Sequence, residues 1–154
     1  MKNEVVNTQN GDYSALEQSV VEATQTYLDA WTFEAPVSWE PFRSVFMAGE
    51  DEILVVDNFG NDVTVLNSVD AYIETWEPVV ASVWQRLNTT AEDLTIFAEE
   101  ELAVSTFILV ANGEKVDGSS GSLKQRATLV WRRNDNNDWR VVREHLTTLP
   151  SSNL

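Results

Sequence analysis

Near the C-terminus, the segment Trp139-Arg140-Val141-Val142-Arg143-Glu144-His145 sets an acid beside the only histidine of the chain. Histidine titrates close to neutral pH and serves as a proton shuttle. A carboxylate among apolar neighbours can act as a general base. In a strand, successive side chains point to opposite faces. Glu144 therefore shares a face with Val142 and Leu146, opposed by Val141, Arg143 and His145. A glutamate turned inward needs a partner or a proton, and Arg126 and Arg43 are the candidate partners. Glu144 is then a general base or polar anchor for a ligand, or else a salt-bridged structural acid. His145 is a proton shuttle, or else a structural or dimer-face histidine.

Other chemistries are excluded. There is no cysteine, so disulfides and thiolate nucleophiles are absent. One histidine without cysteine makes a poor zinc site, and no Gly-x-Ser-x-Gly nucleophile motif occurs. Asn134-Asp135-Asn136-Asn137-Asp138 looks like a calcium loop but lacks its glycine and closing glutamate, so it reads as a hairpin turn. No metal and no cofactor is expected.

The elements that position these groups must come from 154 residues, enough for one domain with one core. Hydrophobic residues make up 43%, including six Trp and six Phe, and the net charge is −15. That charge argues against nucleic acid or an anionic membrane as partner. Residues 1–101 carry 20 of the 25 acids and only three bases, whereas residues 102–154 carry seven bases and five acids. This asymmetry is either an acidic helical layer over a more neutral sheet, or a basic stripe for an anionic ligand. No apolar run approaches the roughly 18 residues of a membrane span. The N-terminus shows no apolar signal-peptide core, which makes the cytoplasm the expected compartment and the sequon Asn88-Thr89-Thr90 meaningless.

Residues 1–13 read as a flexible arm and 14–149 as a single domain. Ser14 and Glu17 have capping-box spacing, and Leu16, Val20, Tyr27 and Trp31 follow at helical spacing. That helix should end near Trp31, ahead of Ala35-Pro36. A short amphipathic turn through Trp39, Phe42, Val45 and Phe46 precedes a β-branched strand, 52–57. A second helix is predicted over 67–87, capped by Asn67 or Ser68 and kinked at Pro78. Strands are predicted at 94–98, 102–110, 125–133 and 139–148, with a long Gly/Ser-rich loop at 111–121. Helices first and antiparallel strands later argue for an α+β domain with helices on one face of a sheet.

This order, closed by the hairpin Arg126-Ala127-Thr128-Leu129-Val130-Trp131-Arg132-Arg133 and Trp139 to His145, resembles the SnoaL-like branch of the nuclear transport factor 2-like superfamily. The resemblance covers roughly residues 14–148. It implies the cystatin-like fold: a strongly curved antiparallel sheet wrapped around helices, forming a cone with an apolar pocket. The pocket's lining would come from Trp31, Phe46, Phe59, Tyr72, Trp76, Thr106, Ile108, Leu129, Trp131 and Leu146. The inward faces would be those of Leu129 and Glu144. The outer face of the sheet, itself partly apolar, would pair two copies as a homodimer, as relatives often do.

Ketosteroid isomerase, within the same superfamily, is similar at two places. Its tyrosine donor falls on Tyr27 and its general-base aspartate on Asp57, in Val55-Val56-Asp57-Asn58-Phe59-Gly60. Its protonated acid would fall near Leu129, so one of its two donors is absent here. Without the resemblance, Tyr27 reads as a core aromatic and Asp57 as a strand-end turn acid. The arginines in the pocket of another relative, the hub domain of calmodulin-dependent kinase, fall on Leu129, Leu146 and near Ile108. An uncharged, apolar ligand is therefore expected. Two functions follow. One is isomerase, cyclase or hydrolase chemistry on a small apolar carbonyl or polyketide-like compound, with Asp57 or Glu144 as base and Tyr27 as donor. The other is a non-catalytic domain that binds a small molecule or mediates dimeric interaction. A void on the order of a few hundred Å³ shared by Tyr27 and a carboxylate would favour the first. Filling by Trp31, Trp76, Trp84 and Trp131 would favour the second.

Overall fold

The computed structural model describes residues 13–60 and 62–150. Helix α1 (Ala15–Ala30) opens on Ser14, whose hydroxyl accepts from the Glu17 N–H while the Glu17 carboxylate accepts from the Ser14 N–H. This reciprocal cap is the one the spacing predicts. After α1 come strand β1 (Phe33–Glu34), a short 3-10 helix (Glu40–Ser44), β2 (Leu54–Asp57) and β3 (Thr64–Leu66). Helix α2 (Val69–Val83) starts on Ser68, whose side chain accepts from the Ala71 N–H. Four long strands complete the chain: β4 (Trp84–Ala98), β5 (Leu102–Lys115), β6 (Ser120–Arg133) and β7 (Trp139–Thr148). Of the expected N-terminal arm, residues 1–12 lie outside the described residues.

The sheet runs in the order β1-β4-β5-β6-β7-β2-β3. It is curled and unclosed, with the helices against its inner face. Every pairing is antiparallel except β2 with β7, which run parallel with Val55 beside Glu144 and Asp57 beside Leu146. The family fold inferred from the sequence is therefore present, as an α+β domain with a mixed sheet. No helix among the described residues is long and apolar enough to cross a membrane.

Three boundaries differ from the sequence reading. Helix α2 ends at Val83 instead of 87, so Trp84 and Leu87 belong to β4. Strand β4 accordingly starts at Trp84, well before the expected 94. The expected loop at 111–121 is mostly strand, because β5 and β6 keep pairing out to Glu114 and Ser120. Small residues allow that extension. A Cβ on Gly113 would lie 1.9 Å from the Arg86 carbonyl oxygen, so only glycine lets β4 approach there. Pro78 sits inside α2, and β1 and β3 are too short to have been read.

Alternation places two rows on the inner face. Ser105, Leu129, Glu144 and Val55 form one row, and Phe107, Ala127, Leu146 and Asp57 the next. All eight are buried. At a register shift beside Val130 and Trp131, Val141 joins the core while the adjacent Val142 is also buried. The opposite face carries Phe97, Val104, Thr106, Ile108, Thr128, Val130 and His145, with Phe97 62% exposed.

Candidate functional site

Asp57 ends β2, where the Asn58 side chain and backbone are tied to β7 through the Thr148 N–H and the Leu146 carbonyl. This anchors the carboxylate under the sheet, 5% exposed. Its Oδ1 accepts the Phe59 N–H at 2.8 Å and the Gln125 Nε2 at 3.0 Å, which leaves Oδ2 for other work. The Phe59 bond is the turn contact expected of a strand-end aspartate. Burial pushes Asp57 up to about 6, opposed by those two donors and by the charge of His145. Asp57 is thus ionised at neutral pH, yet its ionised form is disfavoured enough to make it a competent base.

Tyr27 comes from the buried face of α1 and is fully buried, edge-on to Phe107. Its hydroxyl meets no acceptor at full hydrogen-bonding geometry among the described residues, although the Glu144 carboxyl lies close to it. Burial, and the acids Glu144 and Asp57 nearby, hold its ionisation well above the ordinary tyrosine value, so it is a donor only.

Tyr27 and Asp57 face one cavity of about 60 Å³, bounded also by Trp31, Phe59, Trp76, Trp84, Gln125 and Leu146. Apart from Thr89, the rest of its lining is apolar, drawn from α2 and strands β4 to β6. The void is smaller than a few hundred Å³, because three of the four tryptophans named above crowd it. The fourth, Trp131, is buried elsewhere in the core, with its indole N–H donated to Ser105 at 2.9 Å.

Glu144 is 1% exposed and stands behind this cavity, outside its lining. Neither proposed arginine reaches it. Arg43 pairs with Asp70 at 2.8 Å, and Arg126 is exposed on the outer face of β6. Its Oε2 instead meets the Tyr72 hydroxyl at 3.4 Å, while Oε1 completes no hydrogen bond. Tyr27 lies close enough to influence its ionisation. Burial and the charge of Asp57 push Glu144 up to about 8. At neutral pH the pair therefore carries one charge, on Asp57.

Of the lining expected from the resemblance, Trp31, Phe59, Trp76 and Leu146 bound the cavity, while Phe46, Tyr72, Leu129 and Trp131 do not. Tyr72, Leu129 and Trp131 pack in the core around Glu144 and Ser105, and Phe46 packs on Tyr72 at 4.6 Å between ring centres. Thr106 and Ile108 stand on the other face of β5, because the inward set is Ser105, Phe107, Leu109 and Ala111. His145 is likewise outward and exposed. Gln125 was missed, although it alternates in step with Ala127 and Leu129 and so had to point inward.

Residues 25–150 match the family model of the SnoaL-like domain. Among curated proteins, none matches the chain. Solved structures share the fold at low identity. A nuclear transport factor 2-like superfamily protein from Salmonella enterica serovar Typhimurium is 15% identical over 90% of this chain and 94% of its own, with a TM-score of 0.73. A protein from Novosphingobium aromaticivorans, provisionally called an aromatic ring hydroxylase, is 14% identical over 87% and 89%, with a TM-score of 0.70. A protein from Streptomyces avermitilis, provisionally called a dehydratase of the same superfamily, is 15% identical over 87% and 96%, with a TM-score of 0.66.

Proposed function

The chain belongs to the SnoaL-like domain family, and we propose that its cavity is the active site of an isomerase, cyclase or hydrolase acting on a small apolar carbonyl or polyketide-like compound. The observation that carries this reading is that Asp57 and Tyr27 face the same apolar void. Asp57 Oδ2 takes the proton from the carbon next to the carbonyl. The negative charge moves to the carbonyl oxygen, which the Tyr27 hydroxyl stabilises by donating to it. Asp57 then returns the proton to another carbon of the ligand, or to a leaving group as the enolate electrons break its bond to the adjacent carbon. In hydrolysis Asp57 instead takes a proton from a water that adds to the carbonyl and passes it to the group that departs. Glu144, pushed up to about 8, holds its proton more firmly than Asp57 and is the weaker candidate for the base. It contributes by lying behind Tyr27 without adding a second charge to the void. The test is exchange of α-protons of small cyclic ketones in deuterated water, followed by NMR. Wild-type protein catalyses exchange at neutral pH, and Asp57→Asn slows it by about 100-fold or more. Equal rates would place the base elsewhere.

A second reading is a non-catalytic binding or dimerising domain. The crowding of the void by Trp31, Trp76 and Trp84 supports it. The apolar residues Phe97, Val104, Ile108 and Val130 on the outer face of the sheet support a second copy as partner under either reading.

A further inference from the structure

Five buried polar atoms have no hydrogen-bond partner among the described residues, and three of them belong to side chains that bound the cavity: the Tyr27 hydroxyl and the indole N–H groups of Trp31 and Trp76. Two other buried tryptophans behave differently. Trp131 donates to Ser105 and Trp139 to Ser19, each at 2.9 Å. A buried donor left unmade is costly, about 1–3 kcal/mol. Trp31 has some recourse, since its indole bears on the Tyr72 phenol. Trp76 has none. It is 6% exposed and packed edge-on against Phe59 and Tyr72, and its N–H meets no acceptor among the described residues.

Resting on the reading of the cavity as the ligand site, we propose that the Trp76 indole N–H is a second donor to the ligand, alongside Tyr27, and selects neutral ligands bearing an acceptor oxygen over hydrocarbons of the same shape. Tyr27 comes from α1 and Trp76 from α2, so the side chains that carry the two donors reach the lining from different helices. Among the described residues, Asp57 is the only charged group on the lining, and no cation bounds the void. An anionic ligand would meet a like charge with nothing to offset it. The class that fits is a small neutral ketone or ester whose oxygen can accept from both donors. Trp76 is then a determinant of specificity as well as a wall.

The probes are cyclohexanone and methylenecyclohexane, matched in shape and differing in the acceptor oxygen. Binding is followed on protein with ¹⁵N-labelled indoles, and loss of a signal in Trp76→Phe assigns the Trp76 resonance. We expect cyclohexanone to move the Trp76 N–H signal downfield, while methylenecyclohexane leaves it in place. Trp76→Phe keeps the aromatic packing and should weaken the ketone about tenfold while leaving the hydrocarbon unchanged. Should the ketone bind while the Trp76 signal stays fixed, or the variant weaken both probes alike, Trp76 is a wall only and the cavity reading survives. Should neither probe bind wild-type protein, both this inference and that reading fail. If Trp76→Phe does not fold, transferring the assignment to Trp76→Tyr, or reading the wild-type signals of all six tryptophans, still decides the outcome.

Discussion

Glu144 keeps a proton that an exposed glutamate would lose. It sits at about 8 in the fold against 4.5 for the free side chain. Between those values the unfolded chain has released a proton that the folded chain still holds. Its contribution to stability is therefore complete below about 4.5, and falls as pH rises toward 8, by at most about 1.4 kcal/mol per pH unit. Asp57, raised from 3.8 to about 6, adds to the same downward slope at lower pH. Glu144→Gln should flatten the slope above pH 6 and leave the protein on the order of 2 kcal/mol more stable than wild type at pH 8. Urea unfolding at pH 6 and pH 8 measures this, and an unchanged slope would mean that Glu144 is ionised. Of the two outcomes open to an inward glutamate, an arginine partner or a proton, neither Arg43 nor Arg126 supplies the first, and two phenols, Tyr27 and Tyr72, stand beside the carboxyl. Alternation made Glu144 a candidate, whereas the resemblance to ketosteroid isomerase made Asp57 and Tyr27 candidates. Which of them share the void depends on register, which no local pattern reveals.

At the scale of elements, the junction of α2 with β4 was the least legible. Val80, Trp84 and Leu87 continue a helical spacing, and Trp84, Leu87, Thr89 and Ala91 face inward from a strand, so the same residues satisfy either pattern. Tertiary pairing decides it, because Arg86 and Leu87 are claimed by Glu114 and Gly113 of β5. The Gly/Ser-rich stretch at 111–121 concealed strand for a related reason. Gly113 and Gly121 stand opposite each other within a paired region, and a Cβ on Gly121 would meet the Trp84 ring at 2.8 Å. Gly113→Ala should thus break the approach of β4 and destabilise the fold by about 2–3 kcal/mol. Chemical denaturation checks this, and a change below about 0.5 kcal/mol would show that the strands part freely. By contrast, the capping box of α1 and the closing strand β7 were fully readable, since both are fixed by residues a few positions apart.

For the whole molecule, a charge of −15 opposes self-association while the outer face of the sheet offers apolar side chains. If two copies pair there, sedimentation should report twice 17.3 kDa, and the dimer should tighten as salt is raised, because screening weakens the mutual repulsion. Ile108→Glu should yield monomers without disturbing the cavity, because Ile108 lies on the far face. Monomers for wild-type protein at all salt concentrations would remove the dimer.

The parallel contact of β2 with β7 joins Leu54–Asp57 to Arg143–Leu146, across most of the chain. Pairings of such long range form late in folding. Asp57 reaches its place only when the final strand docks, so under the proposed function its carboxylate cannot work before β7 is paired. Competence for chemistry should arrive abruptly, at the last step of refolding, and be the first property lost under mild denaturant.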